Sequence, residues 1–231
     1  MPMGVAAAWW STVERPTNWR QADWSGTGLL PQPSEEKDAI IHVMAARTGG
    51  LKGAFSVHSW IVLKEAGAKS YERYDKVGWG RPVRRNAYAA DANWYSNEPF
   101  IIKTIRGTDA DNLIPKVRLA IDNYPHAGRG GYRIWPGPNS NSFVAHVLRE
   151  VPGIGAVLPP NAVGKDWLSG GDLFQVTPDQ RNIHISLFGL VGVSAGSLSG
   201  IELNLLGQTL GIDVRRPALK LPAIGRIGTA L

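Results

Sequence analysis

The chain has 231 residues, of which 43% are apolar and 19% charged. That is enough for a packed core and excludes wholesale disorder, a collagen repeat or a coiled coil. It has no cysteine, so disulfides, thiolate metal ligands and cysteine nucleophiles are excluded together. A net charge of +6 favours anionic partners without choosing among membrane headgroups, glycans and nucleic acid.

Met1 to Trp10 is an uncharged apolar stub, and Trp9, Trp10, Trp19 and Trp24 crowd the first residues. Indole is amphipathic and suits a membrane interface. The other reading is a frayed tail, since the stub lacks the basic start and length of a signal peptide. No run reaches the roughly 18 apolar residues that a spanning helix needs. Gly, Pro and Ser between Trp19 and Pro33 suggest an extended strap. Residues 1–33 are therefore taken as stub and strap, and 34–231 as a single α+β domain.

Four strands are expected next: Ala39 to Ala46, Gly53 to Lys64, Tyr71 to Trp79 and Glu98 to Arg106. Arg81, Arg84 and Arg85 between them read as a solvated turn. Asp109 or Asp111 is expected to cap a helix over Asn112 to Asn123, with Leu113, Ile114, Val117 and Ile121 on its apolar face. A short strand over Tyr132 to Trp135 leads, through Pro136-Gly137-Pro138, into a second helix from Ser140 to Glu150. After an irregular stretch, Asn182 to Val193 and Gly200 to Val214 read as an antiparallel pair turning at Ala195-Gly196-Ser197. The expected architecture is a mostly antiparallel sheet with two packed helices. Past Asp213, the residues Arg215, Arg216, Lys220 and Arg226 are interleaved with Leu219, Leu221, Ile224 and Ile227. Such a tail suits an anionic membrane surface; it equally suits an edge strand whose Lys and Pro deter aggregation.

The blocks Trp19-Arg20-Gln21-Ala22-Asp23-Trp24, Val57-His58-Ser59-Trp60, Tyr74 to Gly80, Tyr132 to Pro136 and Gly137 to Phe143 resemble a bacterial family defined as a domain of unknown function, number 3750. The resemblance covers nearly the whole chain and carries no activity with it. Members often begin with a hydrophobic segment, which implies a membrane location. A more distant resemblance is to the circularly permuted papain-like hydrolases, including the PPPDE peptidases. Asn139-Ser140-Asn141-Ser142-Phe143 matches their Asn-Cys-Asn-x-Phe block with serine in place of cysteine, and His58 matches the base.

That resemblance implies a permuted papain-like fold in which Ser140 is the nucleophile, His58 the general base, and Asn139 or Asn141 an oxyanion donor. Serine makes greater demands than cysteine. A thiol with pKa about 8.5 ionises with little help, whereas an alcohol must lose its proton during attack, which requires a closely placed base. A helix dipole worth about 0.3–1 kcal/mol does not replace that base. Ser140 or Asn141 capping the helix is the other reading. Asp75 is the candidate third member, on the strand expected to pair with that of His58, with register deciding whether it faces the imidazole or solvent. Trp60 shares the His58 face and is expected either to wall a substrate groove or to fill core. His42, His126 and His184 show no metal-ligand spacing, so no metal and no other cofactor is expected.

Two functions lead, ahead of nonspecific nucleic-acid binding through positive charge, for which no stacking motif or known module speaks. One is a serine-dependent or degenerate amide or ester hydrolase, or an acyltransferase. The other is a non-catalytic binding module of a membrane-associated complex. The expected partners are a membrane surface or membrane-protein complex and a peptide, lipid or glycan ligand, with no specific nucleic acid. The expected location is the periplasmic face of a bacterial inner membrane.

Overall fold

The first sheet is organised by two strands with no polar face. In the computed structural model, which describes residues 1–229, β1 (Ile40–Arg47) and β2 (Val57–Lys64) are buried almost throughout. Apolar runs of this kind make central strands covered on both sides. With β3 (Glu72–Lys76), β4 (Val83–Arg85) and β5 (Phe100–Arg106) they form a five-stranded antiparallel sheet in the order β4-β3-β2-β1-β5. Strand β4 was not expected: Arg84 and Arg85 lie on it, paired to β3. Strand β2 starts later than anticipated because residues Gly50–Ala54 form a short 3-10 turn.

One face of this sheet carries Val57, Ile61 and Leu63, packed on helices α2 (Gly107–Asp122) and α3 (Ser140–Glu150) through Ile114, Val117, Phe143 and Val147. The other carries Met44, Trp60 and Val62, covered by Leu30, Trp24 and Trp94. The expected strap accordingly runs over this second face, with Gly26 bridged to Ala92. Helix α2 begins before the expected boundary. Arg106, still extended, is its N-cap with no side-chain cap bond, so neither Asp109 nor Asp111 caps it. Asp109 instead sits in the first turn, where its charge complements the helix dipole.

The N-terminal stub is a helix, α1 (Pro2–Ser11), rather than a frayed tail. Trp10 is only 2% exposed and donates its indole N–H to Gly50 O at 2.9 Å, which fixes the helix to the 3-10 turn. No helix of the described residues is long and apolar enough to cross a membrane. Residues 132–135 form no strand; Ile134 O instead accepts from the Asn139 side chain and Arg133 N–H donates to Pro138 O.

The second sheet is a seven-stranded meander, β6 (Phe174–Val176), β7 (Asn182–Leu187), β8 (Val191–Gly196), β9 (Gly200–Leu205), β10 (Gln208–Asp213), β11 (Ala218–Leu221) and β12 (Gly225–Gly228), each paired with its chain neighbour. The two long strands expected here are each a hairpin. The second reverses at Leu206 and Gly207, with φ of 52° and 82°, a two-residue turn that needs positive φ at both positions. Leucine there gives no turn signal in the sequence.

The polarity of this sheet is inverted. Asn182, Ser186, Ser194, Glu202, Asn204 and Thr209 are buried on its inner face, while Ile185, Val193, Ile201, Leu203 and Ile212 alternate with them on an exposed outer face. Glu202 is paired on both sides, with Lys165 and Lys220. Two charges of the basic tail are engaged within the second sheet: Lys220, on β11, is buried on Glu202 and Ser199 O, and Arg226, on the edge strand β12, bonds Asp213 and Arg216 O. Those two charges are not free for headgroups. Of the expected tail, residues 230 and 231 lie outside the described residues. The result is one α+β domain with two antiparallel sheets and three helices rather than one sheet with two.

Candidate active site

The first turn of α3 is built by its own cap. Asn139 Oδ1 accepts the backbone N–H of Asn141 and of Ser142, while Ser142 Oγ accepts the Asn139 N–H, a reciprocal capping box. The Asn139 amide donates to Ile134 O and Val163 O. Gly164, at φ +90°, is required for this approach, since a Cβ there would lie 2.5 Å from Asn139 Nδ2. Asn141 joins helix to sheet: Nδ2 donates to Val57 O and Val163 O, and Oδ1 accepts from Ser59 Oγ at 2.8 Å. Both candidate oxyanion amides are thus committed to structure.

Ser140 is left over. Capping is done by Asn139 and Ser142, and neither the Ser140 hydroxyl nor its backbone N–H has a hydrogen-bond partner among the described residues. The capping reading of Ser140 and Asn141 is therefore corrected. Ser140 occupies the first helical position, where an unpaired N–H is expected, and it lines a cavity of about 1080 Å³.

His58 lines the same cavity, at the start of β2. Its Nε2 lies 2.9 Å from Asp75 Oδ1. The β2–β3 register, with Ile61 opposite Tyr74 and Val62 opposite Arg73, brings Asp75 to the His58 face rather than to solvent. Asp75 is fully buried and held by Arg73, Nε to Oδ2 at 2.7 Å and Nη2 to Oδ1 at 3.0 Å. Burial alone would raise the Asp75 pKa, but the Arg73 charge and the hydrogen bonds from His58 and Arg73 outweigh it and keep the carboxylate ionised. For His58, burial lowers the pKa and outweighs the raising effect of Asp75, so the ring is neutral near pH 7. An ionised carboxylate only accepts, so the proton sits on Nε2 and the Nδ1 lone pair is free.

Two aromatic rings, those of Trp94 and Trp60, fix this relay. His58 stacks on Trp94 at 3.6 Å between centroids and 3° between planes. Trp60 sits beneath it, fully buried, with Arg73 over its ring at 4.0 Å. Trp60 therefore supports the relay and is not part of the cavity wall. Trp94 and Arg73 were not singled out in the sequence, since a Trp on a loop and an Arg on a strand carry no motif. Strand alternation sends Val57 and Ser59 toward α3 and His58 and Trp60 away from it. His58 and Ser140 accordingly reach the cavity from opposite sides of the start of β2, with no hydrogen bond between them. Among the described residues no group of three His, Asp or Glu is placed to hold a metal ion.

The family model for "Protein of unknown function (DUF3750)" matches residues 38–167, more than half of the chain. The chain belongs to this family. The DUF3750 match includes Asp75, His58, Arg73, Trp94 and Ser140 and ends before the second sheet begins. Neither the curated proteins nor the solved structures give a match.

Proposed function

We propose that this DUF3750 protein is a serine-dependent acyl hydrolase or acyltransferase of permuted papain-like type, acting on an ester or amide. One observation carries the reading: a buried Arg73–Asp75–His58 relay ends on the wall of the cavity that also receives the unbonded Ser140 hydroxyl. The chain order supports the permuted type, with a base on one strand, a carboxylate on its neighbour, and the Asn-Ser-Asn-x-Phe block later opening a helix.

In this mechanism the neutral His58 takes the Ser140 proton at Nδ1 as Oγ attacks the acyl carbonyl. Asp75, itself held by Arg73, stabilises the imidazolium that forms. The Ser140 backbone N–H donates to the developing oxyanion. His58 then protonates the departing alcohol or amine, and water or a second alcohol or amine takes the acyl group from Ser140 by the reverse steps. The mechanism requires the hydroxyl and Nδ1 to come within hydrogen-bond reach, directly or through one water, in the substrate complex. A lowered His58 pKa suits this route, which needs a neutral base, better than a thiolate–imidazolium pair.

The lack of a direct hydrogen bond between His58 and Ser140 favours a second reading, a non-catalytic binding module that keeps the fold. Turnover of amide and ester libraries by the purified protein separates the two. Loss of turnover in both His58→Ala and Ser140→Ala supports the enzyme, and absence of any turnover by a correctly folded wild type supports the binding module. In Ser140→Cys, alkylation of the new thiol that depends on His58 would show the base within reach of position 140.

A further inference from the structure

The cavity and the inverted sheet are one surface. Leu203, Leu205 and Leu210, about half exposed on the outer face of the second sheet, also line the cavity that holds His58 and Ser140. From the cavity the outer face continues across Ile185, Val193 and Ile212, with aliphatic side chains at the outward positions of successive strands. A monomer ordinarily avoids exposing an apolar area of this kind, and one that does so has something to set against it.

We infer that the outer face of the second sheet rests on a lipid bilayer, and that the cavity receives from it the acyl chain of a membrane lipid, whose ester or amide carbonyl is presented to Ser140. The substrate class rests on the proposed acyl chemistry; the docking does not.

Three features select lipid over protein as the occupant. The cavity opens into this face, so a protein laid flat upon it would cover the substrate's way in, whereas a bilayer supplies the substrate there. The centre of the face holds branched aliphatic residues and none of the Tyr, Trp and Arg anchors that carry protein–protein affinity. The margins carry what an interface with anionic lipid uses. Trp135, half exposed on the cavity wall, donates its indole N–H to Leu206 O, and Arg181 and Arg215 stand exposed on turns at the opposite end of the strands. Inward-facing Glu202, Asn204 and Thr209 are bonded within the protein, so the sheet has no polar face left to turn toward a solvated partner.

The test is co-sedimentation of the purified protein with vesicles of phosphatidylethanolamine and phosphatidylglycerol, alongside the double variant Ile185→Glu/Val193→Glu and the single variant Ser140→Ala. Neither Ile185 nor Val193 touches the cavity, and both are already half exposed, so the double variant keeps the fold and its turnover of a short soluble ester. Wild type and Ser140→Ala are expected to bind the vesicles equally and the double variant at least about tenfold more weakly. In parallel, wild-type kcat/KM is expected to rise with acyl-chain length from acetyl to palmitoyl esters, and Leu205→Ser to flatten that rise. Vesicle binding without turnover of any ester upholds the docking and removes the acyl chemistry. Turnover of short esters with no vesicle binding overturns the docking and keeps the chemistry. A dimer in solution that Ile185→Glu/Val193→Glu splits, with no vesicle binding, overturns the docking and assigns the face to a second copy.

Discussion

The two sheets solve opposite problems with the same alternation. In the first, β1 and β2 bury both faces, and the charges that remain inside are each tied down, Arg73 on Asp75 and Lys64 on the carbonyls of Asp38 and Glu65. In the second, polar side chains line the inner face and aliphatic ones the outer. A buried polar group is tolerated only when bonded, so the inner face of the second sheet is constrained by hydrogen bonding and its outer face by almost nothing within this chain. On the proposed function, the chemistry lies with the first sheet and the contact with a membrane with the second.

The sharpest way to break that contrast is to remove one partner from a buried ion pair in each sheet. Arg73→Met leaves Asp75 buried without its cation, and Glu202→Gln leaves Lys165 and Lys220 buried without their anion. Each is expected to lower stability by about 3–5 kcal/mol, the usual result of stranding a buried charge, read by urea unfolding. Arg73→Met is also expected to abolish turnover, whereas a folded Glu202→Gln should retain it on short esters.

The two apolar surfaces separate next. Ile61→Ala, in the fully buried β2, is expected to cost about 2–5 kcal/mol through lost contacts and the cavity left behind. Ile185→Ser, half exposed on the outer face, is expected to change stability by no more than about 0.5 kcal/mol. An equal loss at both positions, measured by the same unfolding experiment, would mean that the outer face is covered within the folded protein.

A smaller and more gradual effect is expected with pH. Burial holds His42, His146 and His184 neutral with pKa lowered to about 4 from an unfolded value of 6.5. Below pH 6.5 the unfolded chain takes up protons that the folded one refuses. Stability is therefore full above that pH and falls as the solution is acidified toward pH 4, by up to about 1.4 kcal/mol per pH unit for each histidine. His42→Gln should flatten the slope by its share. A flat stability profile across this window would contradict the buried neutral state.

The sequence made part of this legible, and the reasons differ by element. Helix α3 was readable to the residue because an Asn-Ser-Asn-Ser start and a Pro152 stop bracket a clean apolar stripe. The β1 and β2 cores were readable from apolar runs. The hairpins at Phe188 to Leu190 and at Leu206-Gly207 were not, since each turn puts an apolar residue, Phe188 or Leu206, at its first positive-φ position, where Asn, Asp or Gly is the usual signal, ahead of Gly189 or Gly207. Asp75 was a candidate that only register could orient, and the β2–β3 pairing turned it to His58. Arg73 escaped notice because its meaning lies in two hydrogen bonds to a residue two positions on, which alternation places on its own face. Local pattern also says nothing of which face of a strand meets the rest of the protein, so the inversion of the second sheet emerged only from its packing.

The central claim is that His58 activates the Ser140 hydroxyl, and labelling with a fluorophosphonate probe tests it most directly. Peptide mapping is expected to find the adduct on Ser140. The labelling rate should rise with pH through a midpoint below the ordinary histidine value, because burial lowers the His58 pKa, and should fall by about 10²–10⁴ in His58→Gln. An adduct on another residue, or a Ser140 adduct formed equally fast in wild type and His58→Gln, would contradict the account.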